Sequence, residues 1–499
     1  QRYTRGRSRK TKGTMMEEVE EPLSPVARLF GSPIIDSCII TMIGFKTKIN
    51  PDVILDDLNH NVSKHPRFCS KLSDNGARWI KTKVNVDDHV YAPNIDPQEI
   101  NADGQGFVDD YVSRLTMIPL DRSRPLWDIH ILNVKTSDAE AVGVMRCHHS
   151  LADGMSLMSL LVACTRKSSD PEAFPTIPAI KRRERFLPHR LRNKGHFIRS
   201  IFAIYSAVRL ILNTIVDLLQ FLATVLFWKD TETPLKQGGL VENNLKRTFY
   251  HRTISLDDIK LIKNAMNMTI NDVLHGVTQA ALSHYLNGRY DKKDGSSDQN
   301  NLPGSIRLRA CVAINLRQEI GIQHVADMLA KDSKCRWGNY DSFVHLPLSI
   351  NLKTDPLVNL SKTKSIMDRK KHSLLASLLY SSQEFLINYF GPKVGSAFFK
   401  RSLSNTTTFL SNIVGPLEEV SLHGNQIAYI ALSCYGNEHG HTHALLIHFI
   451  SYAEKLIISM AMDPRVMPDP HNLCDAMEES LKAIKDALSE KRDPFGVYH

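Results

Sequence analysis

The feature that most constrains the fold is a long apolar segment, residues 197–228, interrupted by polar residues at helical spacing. The interrupting positions are Arg199, Ser206, Arg209, Asn213, Asp217, Gln220 and Thr224. After the first gap they are separated by three or four residues, which places them on one stripe of an α-helix with a broad apolar face. Such a face must be covered by a protein core or by lipid.

Three placements of this helix are open: lying in a membrane interface, packed on the protein, or spanning a bilayer. Arg209 and Asp217 lie in mid-helix, and each costs about 2.5–3.5 kcal/mol at a bilayer centre. Residues 181–199 carry eight basic residues and one acid, a run that favours anionic headgroups. We therefore expect an interfacial helix whose polar stripe (Arg199, Arg209, Asn213, Asp217 and Gln220) faces water.

The rest of the chain has an ordinary globular composition. Of its 499 residues, 42% are hydrophobic and 23% charged, which excludes collagenous, disordered and disulfide-scaffold proteins. The net charge of +9 is local, because residues 2–12 and 181–199 together carry +13 and leave −4 elsewhere. We therefore expect no binding to nucleic acid. The eight cysteines show no C-x-x-C pair, which indicates reduced thiols on the cytosolic side.

Composition and periodicity divide the chain into five parts. These are a tail (1–21), an α/β lobe (22–170), a linker with the basic run and helix 197–228 (171–240), a second α/β lobe (241–490) and a short tail (491–499). Residues 1–14 lack an apolar core, so they are interpreted as an upstream extension or disordered tail and not as a secretory signal. The alternation of strand-like and helix-like runs predicts an α/β class for both lobes.

The sharpest local pattern is His148-His149-Ser-Leu-Ala-Asp153-Gly154, between a predicted strand and a predicted helix. Side chains alternate along a strand, so only one of the two histidines can face a given cavity. An imidazole there is suited to act as a general base near neutral pH. Asp153 can cap the following helix, and Gly154 offers backbone freedom at the turn. From the residues alone, a pair of structural histidines is the favoured interpretation, and a catalytic histidine is the alternative.

Other chemistries find little support. Gly154-Met-Ser156-Leu-Met158 lacks the final glycine of a serine-hydrolase elbow. No glycine-rich phosphate loop with a following Lys-Ser/Thr is present, which argues against a nucleotide-driven ligase. The tract His439-Gly-His441-Thr-His443 could in principle bind a metal. We expect a polar loop there and no metal site.

Four further motifs carry a resemblance to a known family. They are residues 22–30 (Pro-Leu-Ser-Pro-Val-Ala-Arg-Leu-Phe), Pro125-Leu-Trp127, Asn271-Asp272, and Asn412-Ile-Val-Gly415-Pro416. In this order, and together with His-His-x-x-x-Asp-Gly, they resemble the plant wax ester synthase/diacylglycerol acyltransferase family. That family lies within the coenzyme A-dependent acyltransferase superfamily. The resemblance covers roughly residues 22–490.

The resemblance implies a fold and a set of roles. It implies an α/β fold of two chloramphenicol-acetyltransferase-like lobes around a central channel. His149 would be the general base and His148 a supporting residue. Asp153, followed by Gly154, would hold the loop by ion pairing. Asn271 would orient the histidine or bind substrate.

The resemblance also implies a reaction. The expected activity is transfer of a long-chain acyl group from acyl-CoA to a fatty alcohol, to diacylglycerol, or to both, with no cofactor besides the acyl-CoA co-substrate. The expected location is the cytosolic face of the endoplasmic reticulum membrane, with the plasma membrane as a second site. Two alternatives stay open: a non-catalytic lipid-binding protein of the same fold, and an acyltransferase with another acceptor.

Overall fold

A computed structural model describes residues 20–62, 65–96, 98, 100, 104–178, 196–236, 246–294, 301–317, 337–436 and 443–492. The helices are α1 (Pro25–Phe30), α2 (Pro51–Asn61), α3 (Gly104–Leu115), α4 (Gly154–Cys164), α5 (His196–Leu226), α6 (Leu256–Ala265), α7 (Ile270–Asp294), α8 (Pro356–Lys371), α9 (Leu375–Ser404) and α10 (Pro470–Arg492). The extension 1–14, the basic run up to residue 195 and the histidines at 439 and 441 lie outside the described residues.

The strands form two large sheets and one small one. In chain order they are β1 (Glu20–Pro22), β2 (Ser37–Phe45), β3 (Ser70–Leu72), β4 (Arg78–Lys81), β5 (Val90–Tyr91), β6 (Trp127–Leu132), β7 (Ala141–His148), β8 (Arg166–Lys167), β9 (Thr248–Ser255), β10 (Leu308–Asn315), β11 (Asp341–Leu348), β12 (Thr408–Val414), β13 (Val420–Leu422), β14 (Asn425–Gly436), β15 (Leu445–Tyr452) and β16 (Lys455–Met462). The first large sheet has the order β5-β6-β7-β2-β14-β13-β8, and the second has the order β11-β10-β12-β15-β16-β9. The α/β class is confirmed.

One crossing of the chain joins the two halves. Strands β13 and β14 belong to the second half in sequence, yet β14 pairs antiparallel with β2 in the first sheet. Leu432 of β14 lies opposite Thr41, and Ile430 opposite Ile43. The first sheet therefore contains more than the strands of the first lobe. Its remaining strands, β13 and β14, come from far along the chain, and buried residues of β14 fix its register against β2.

Local sequence accounts for the helix starts that matter for the site. Ser24 caps α1 by accepting from the Ala27 amide at 3.2 Å, and Pro25 occupies the first turn. Asp153 caps α4 in the same way, accepting from the Ser156 amide at 2.9 Å. These caps fix the two short segments that carry Phe30 and the His148–Asp153 loop.

Helix α5 matches the predicted segment closely, but its orientation corrects our prediction. Asp217 is completely buried and its Oδ1 accepts from Lys370 Nζ at 2.8 Å and from Arg369 Nη1 at 2.7 Å. Asn213 donates to the His372 carbonyl at 3.0 Å. The polar stripe from Asn213 onward thus docks on the protein instead of facing water, because a pair of cations on α8 compensates the carboxylate.

The apolar face of α5 points outward as a result. Its large side chains include Ile204 at 65% exposure, Leu212 at 57% and Leu219 at 61%. In the first half of the helix, residues 196–212, no residue is buried. By length and composition α5 is the one helix among the described residues that could cross a membrane. Its second half is tied to the body through Asp217, which disfavours a span.

Candidate active site

The loop between β7 and α4 turns the two histidines to different sides. His148 ends β7 opposite Cys38, and the His149 amide donates to the Ser37 carbonyl at 2.9 Å. His148 is buried, and its Nε2 lies 2.6 Å from Asp36 Oδ1. His149 instead lines a cavity. This is the alternation that a strand end predicts.

His148 is fully occupied by its own surroundings. Its Nδ1 accepts from the Ser150 amide at 3.2 Å and contacts Ser150 Oγ at 2.7 Å. Because Nδ1 accepts, the proton of the neutral ring resides on Nε2 and is donated to Asp36. Arg122 also binds this carboxylate, at 3.1 Å. The arrangement holds the loop and leaves His148 no free nitrogen.

His149 is held from two sides. Its Nδ1 lies 3.0 Å from Asn339 Oδ1, while Asn339 Nδ2 donates to the His149 carbonyl at 2.9 Å. The second bond fixes the orientation of the Asn339 amide, so Oδ1 accepts and His149 Nδ1 carries the proton. The ring also stacks on Phe30, with centroids 3.8 Å apart and planes 13° from parallel. Nε2 therefore keeps its lone pair and faces the cavity.

Burial sets the protonation state of His149. It lowers the pKa of the imidazole to about 4, because the low-dielectric surroundings disfavour the charged form. The nearby Asp153 opposes this shift only in part. His149 is thus neutral at physiological pH and available to accept a proton at Nε2.

Asp153 ties the loop to the second half of the chain. Its carboxylate forms a two-pronged ion pair with Arg317, at 2.7 and 3.0 Å, and accepts from the Tyr340 amide at 3.0 Å. Both side chains are only 5% exposed. Arg317 donates further to Ser156 Oγ and to the Gly338 carbonyl. A bidentate guanidinium–carboxylate pair is rigid, so it fixes the loop geometry.

Gly154 serves a different need from the one its sequence context indicates. Its φ lies outside the left-handed region, so no special backbone freedom is used. A Cβ at this position would lie 2.8 Å from Ile413 Cδ1 and 3.8 Å from Leu432 Cδ2. The glycine therefore allows the start of α4 to approach β12 and β14 closely.

The Asn-Asp pair at the start of α7 forms no hydrogen bond with His149 in the described part of the chain. Asn271 is exposed and accepts from Asn412 Nδ2 at 2.5 Å, so two of the motifs meet, and Asn412 lines the cavity. Asp272 is buried, accepts from the Thr269 amide at 2.8 Å, and pairs with Lys371 at 2.6 Å. Asp272 is therefore a helix cap, because it exchanges hydrogen bonds with Thr269 at the start of α7. The orienting role considered for Asn271 is performed by Asn339.

A cavity between the two large sheets surrounds His149. Its empty volume, including the part open to solvent, is about 1410 Å³. Strands of both sheets line it, together with α1, α9 and the start of α4. Apolar side chains, among them Val26 and Phe409, make up much of the wall, which suits a long hydrocarbon chain.

Two further histidines enter the cavity from the second half. His443 lies 2.9 Å from Thr406 Oγ1, and His448 lies 3.2 Å from Ser433 Oγ. Burial lowers the pKa of each to about 3, so both are neutral. No cluster of three metal-ligating side chains occurs among the described residues. His443 thus belongs to the cavity wall, whereas its neighbours at 439 and 441 lie outside the described part of the chain.

Sequence reasoning missed the three residues that fix His149 and its loop. Phe30, Asn339 and Arg317 are far from the motif in sequence: Asn339 is 190 residues from His149, and Arg317 is 164 from Asp153. Phe30 lies within the opening segment used for the resemblance, but nothing local indicates that its ring stacks on the histidine. Only the packing of the two halves brings these side chains together.

Comparison with known proteins places this geometry in a family. The model of the wax ester synthase/diacylglycerol acyltransferase catalytic domain matches residues 58–274, and that of the C-terminal domain matches residues 337–485. Wax ester synthase/diacylglycerol acyltransferase 10 of Arabidopsis thaliana is 71% identical over 96% of this chain and 100% of its own length. The chain belongs to the wax ester synthase/diacylglycerol acyltransferase family. It is therefore an acyltransferase, as the motifs predicted.

Solved structures share the fold of this family member. The wax ester synthase/diacylglycerol acyltransferase from Marinobacter aquaeolei VT8 is 16% identical and superposes with a TM-score of 0.56, covering 94% of this chain and 100% of that chain. A single-site mutant of the starter condensation domain of rhizomide synthetase RzmA, solved in complex with C8-CoA, is 13% identical with a TM-score of 0.50, covering 94% and 95%. At these identities the likeness shows the fold alone, and it confirms the predicted two-lobed class.

Proposed function

We propose that this acyltransferase moves a long-chain acyl group from acyl-CoA to a fatty alcohol, to diacylglycerol, or to both. The observation that carries the proposal is a neutral His149 whose Nε2 faces a large apolar cavity while its Nδ1–H is held by Asn339. Family membership supports the reaction class, and the names of the Arabidopsis and Marinobacter proteins support the acceptors. A fold neighbour solved with C8-CoA supports acyl-CoA as the donor.

The chemistry is a direct transfer with His149 as general base. Nε2 accepts the hydroxyl proton while the acceptor oxygen bonds to the thioester carbonyl carbon. The C–S bond then breaks, and the imidazolium returns the proton to the departing thiolate. Because every step is a proton transfer or an acyl displacement, no further cofactor and no metal is required. Such general acid–base catalysis contributes about 10²–10⁴-fold.

The neighbouring residues have positioning roles in this proposal. Asp153 holds the loop through Arg317, and His148 holds it through Asp36. The tetrahedral oxyanion needs a hydrogen-bond donor. Ser37 lines the cavity beside His149, and its buried Oγ has no partner among the described residues. We assign the Ser37 hydroxyl as one such donor.

The substrates partition into membranes, and the outer face of α5 is suited to reach them. Besides the exposed aliphatic side chains of α5, aromatic ones on α9 are exposed: Phe385 by 53%, Tyr389 by 76% and Phe390 by 59%. Exposed tyrosine, with its apolar ring and polar hydroxyl, is typical of membrane interfaces. We place the protein on the cytosolic face of the endoplasmic reticulum membrane, with the basic run before α5 at the headgroups.

The decisive experiment is a product assay with the purified protein. Labelled palmitoyl-CoA is incubated with hexadecanol or diacylglycerol, and the lipids are separated. We expect a labelled wax ester, triacylglycerol, or both, and no product from His149→Ala. Binding of lipid without any ester formation would instead identify a non-catalytic lipid-binding protein.

A further inference from the structure

The wall of the cavity contains polar atoms that the protein itself leaves unsatisfied. Among the described residues, five cavity-lining side chains have a buried atom without a hydrogen-bond partner: Ser37 Oγ, Asn315 Nδ2, Asp341 Oδ1, Ser342 Oγ and Gln383 Oε1. Leaving such groups unpaired is unfavourable, so a folded protein seldom retains them without a ligand or water. An acceptor consisting of one hydroxyl and a hydrocarbon chain would leave most of them unpaired.

Two of these residues are neighbours across the sheet. Asn315 and Asp341 are directly opposite each other in the β10–β11 pair, which brings their side chains within about 5 Å on the same face. Asn315 Oδ1 accepts from the Arg317 amide at 3.0 Å and from Arg317 Nη1 at 3.2 Å. The amide is thereby oriented, and its Nδ2 remains as a donor next to the Asp341 carboxyl group.

The third side chain, Gln383, comes from α9. Helix α9 packs on this end of β11, since the Tyr380 hydroxyl donates to the Asn339 carbonyl at 3.4 Å. Gln383 follows Tyr380 by three residues and so lies on the same side of the helix. It is 4% exposed and lines the cavity. Rotation of its amide presents either an N–H or a C=O to a ligand.

These three residues lie beside the reacting histidine. Asn339, which holds His149, precedes Asp341 by two residues, a distance of about 7 Å in extended chain. In diacylglycerol, the carbon next to the free hydroxyl carries an ester or leads directly to one. A hydroxyl at His149 Nε2 therefore brings an ester carbonyl toward the wall formed by Asn315 and Asp341. A fatty alcohol has only methylene groups at that place.

We propose that Asn315, Asp341 and Gln383 form a polar subsite that binds an ester group of a diacylglycerol acceptor and favours it over a plain long-chain alcohol. The proposal rests on the acyl transfer proposed above and specifies its acceptor. Asn315 Nδ2 donates to the ester carbonyl. Burial, together with the neighbouring Asp153, raises the pKa of Asp341 to about 7, so its protonated form donates as well.

The test replaces polar atoms by apolar groups of similar size. Gln383→Met and Asp341→Leu are prepared singly and together, with Asn388→Ala on the exposed side of α9 as the matched control. Initial rates are measured with diacylglycerol and with hexadecanol, each over a range of palmitoyl-CoA concentrations. The melting temperature identifies any variant that fails to fold, and Gln383→Met, which disturbs no hydrogen bond of the described residues, keeps the test independent of Asp341→Leu.

Loss of one hydrogen bond to the acceptor corresponds to a fall of about ten-fold in kcat/KM for diacylglycerol. We expect that fall in each variant, a much smaller one with hexadecanol, and an unchanged KM for palmitoyl-CoA. Equal losses with both acceptors and a raised KM for palmitoyl-CoA would assign these atoms to the amides of the coenzyme A arm and overturn the proposal. Unchanged kinetics throughout would show that they bind only water, and would overturn it too.

The wild-type protein separates failure of this subsite from failure of the proposed function. Esterification of hexadecanol without any triacylglycerol would refute the subsite and leave the acyl transfer intact. Formation of neither product would refute the acyl transfer itself.

Discussion

The centre of the cavity and the outer face of α5 differ from an ordinary protein interior and surface in opposite ways: the first buries charged side chains, and the second exposes apolar ones. At the centre, charged groups such as Asp153 and Arg317 are buried, and each has partners. On α5, large aliphatic side chains such as Ile204 and Leu219 are more than 60% exposed, although the helix offers a polar stripe. Soluble proteins seldom expose so extended an apolar surface, and they seldom bury charge without a purpose.

The two regions use the same device, a buried carboxylate with a cationic partner, for different ends. Asp153 pairs with Arg317 to hold a loop against a cavity, and Asp217 pairs with Lys370 to hold a helix against the body. In α5 this pairing places the polar stripe against the body of the protein, so the apolar side of the helix faces outward. The charged pairs thus determine which side chains line the cavity and which side of α5 faces outward.

The largest expected effect concerns catalysis alone. His149→Ala should lower kcat by at least about 10²-fold, because the proposed general base is lost. The melting temperature and vesicle binding should stay close to wild type, since among the described residues the His149 side chain makes one hydrogen bond and one ring contact. Activity is measured with detergent-dispersed substrates. Near-normal turnover in a folded variant would remove the general-base assignment.

The equivalent change at His148 provides a contrast. His148→Ala removes the contacts to Asp36 and Ser150, so we expect a lower melting temperature together with a milder loss of activity. Equal and complete losses at both histidines, with unchanged stability, would contradict the separation of their roles.

The next effect compares the two buried carboxylates directly. Asp153→Asn and Asp217→Asn each leave a buried cation without its counter-charge, which typically costs about 3–5 kcal/mol. Both should lower the free energy of unfolding in denaturant titrations. Only Asp153→Asn should also reduce the activity of the protein that remains folded. Loss of activity without loss of stability in Asp153→Asn would indicate a direct catalytic role for this residue.

A smaller effect is expected on the membrane. Replacing Leu212, Ile215 and Leu219 with Ser should weaken vesicle binding by more than about ten-fold, since a fully buried side chain of this kind contributes about 1.5–3 kcal/mol. Stability should change little, because these side chains are 57%, 49% and 61% exposed. Flotation with anionic vesicles measures the binding, and activity on dispersed substrates should persist.

A matched control for this change carries three serines at exposed apolar positions away from α5: Val53, Leu261 and Leu417. This variant should bind vesicles like the wild type. High salt should weaken binding of the wild type only in part, because the basic run is screened and the apolar contribution remains. Complete release by salt alone would show that the apolar face of α5 does not enter lipid.

The smallest effect is that of mild acid. His149 must be neutral to act as a base, and its pKa of about 4 means that activity with hexadecanol, which does not use the Asp341 subsite, should stay constant from about pH 8 to about pH 5.5. In the unfolded chain histidine has a pKa of about 6.5, so the unfolded state binds more protons below that pH. The stability associated with neutral His149 is therefore complete above about pH 6.5 and decreases toward pH 4. An activity midpoint near pH 6.5 would show that the cavity does not desolvate His149.

Much of the fold and of the reactive centre follows from the sequence. The spacing in 197–228 predicted α5 to within two residues at either end, and strand alternation predicted that one histidine of the pair faces a cavity. The cap at Asp153 follows from its place before a helix. Each of these depends on near neighbours in the chain, where 3.6-residue and two-residue periods apply.

The orientation of α5 and the support of His149 were decided only by tertiary structure. The polar stripe was expected to face water, but two cations on α8 bury it, and no local pattern in α5 reveals them. Asn339 and Arg317 reach the histidine loop from the second half of the chain, across 190 and 164 residues. The spacing of residues in a segment determines which side chains share a face of its helix or strand. Which distant side chains contact that face depends on how the two sheets pack together.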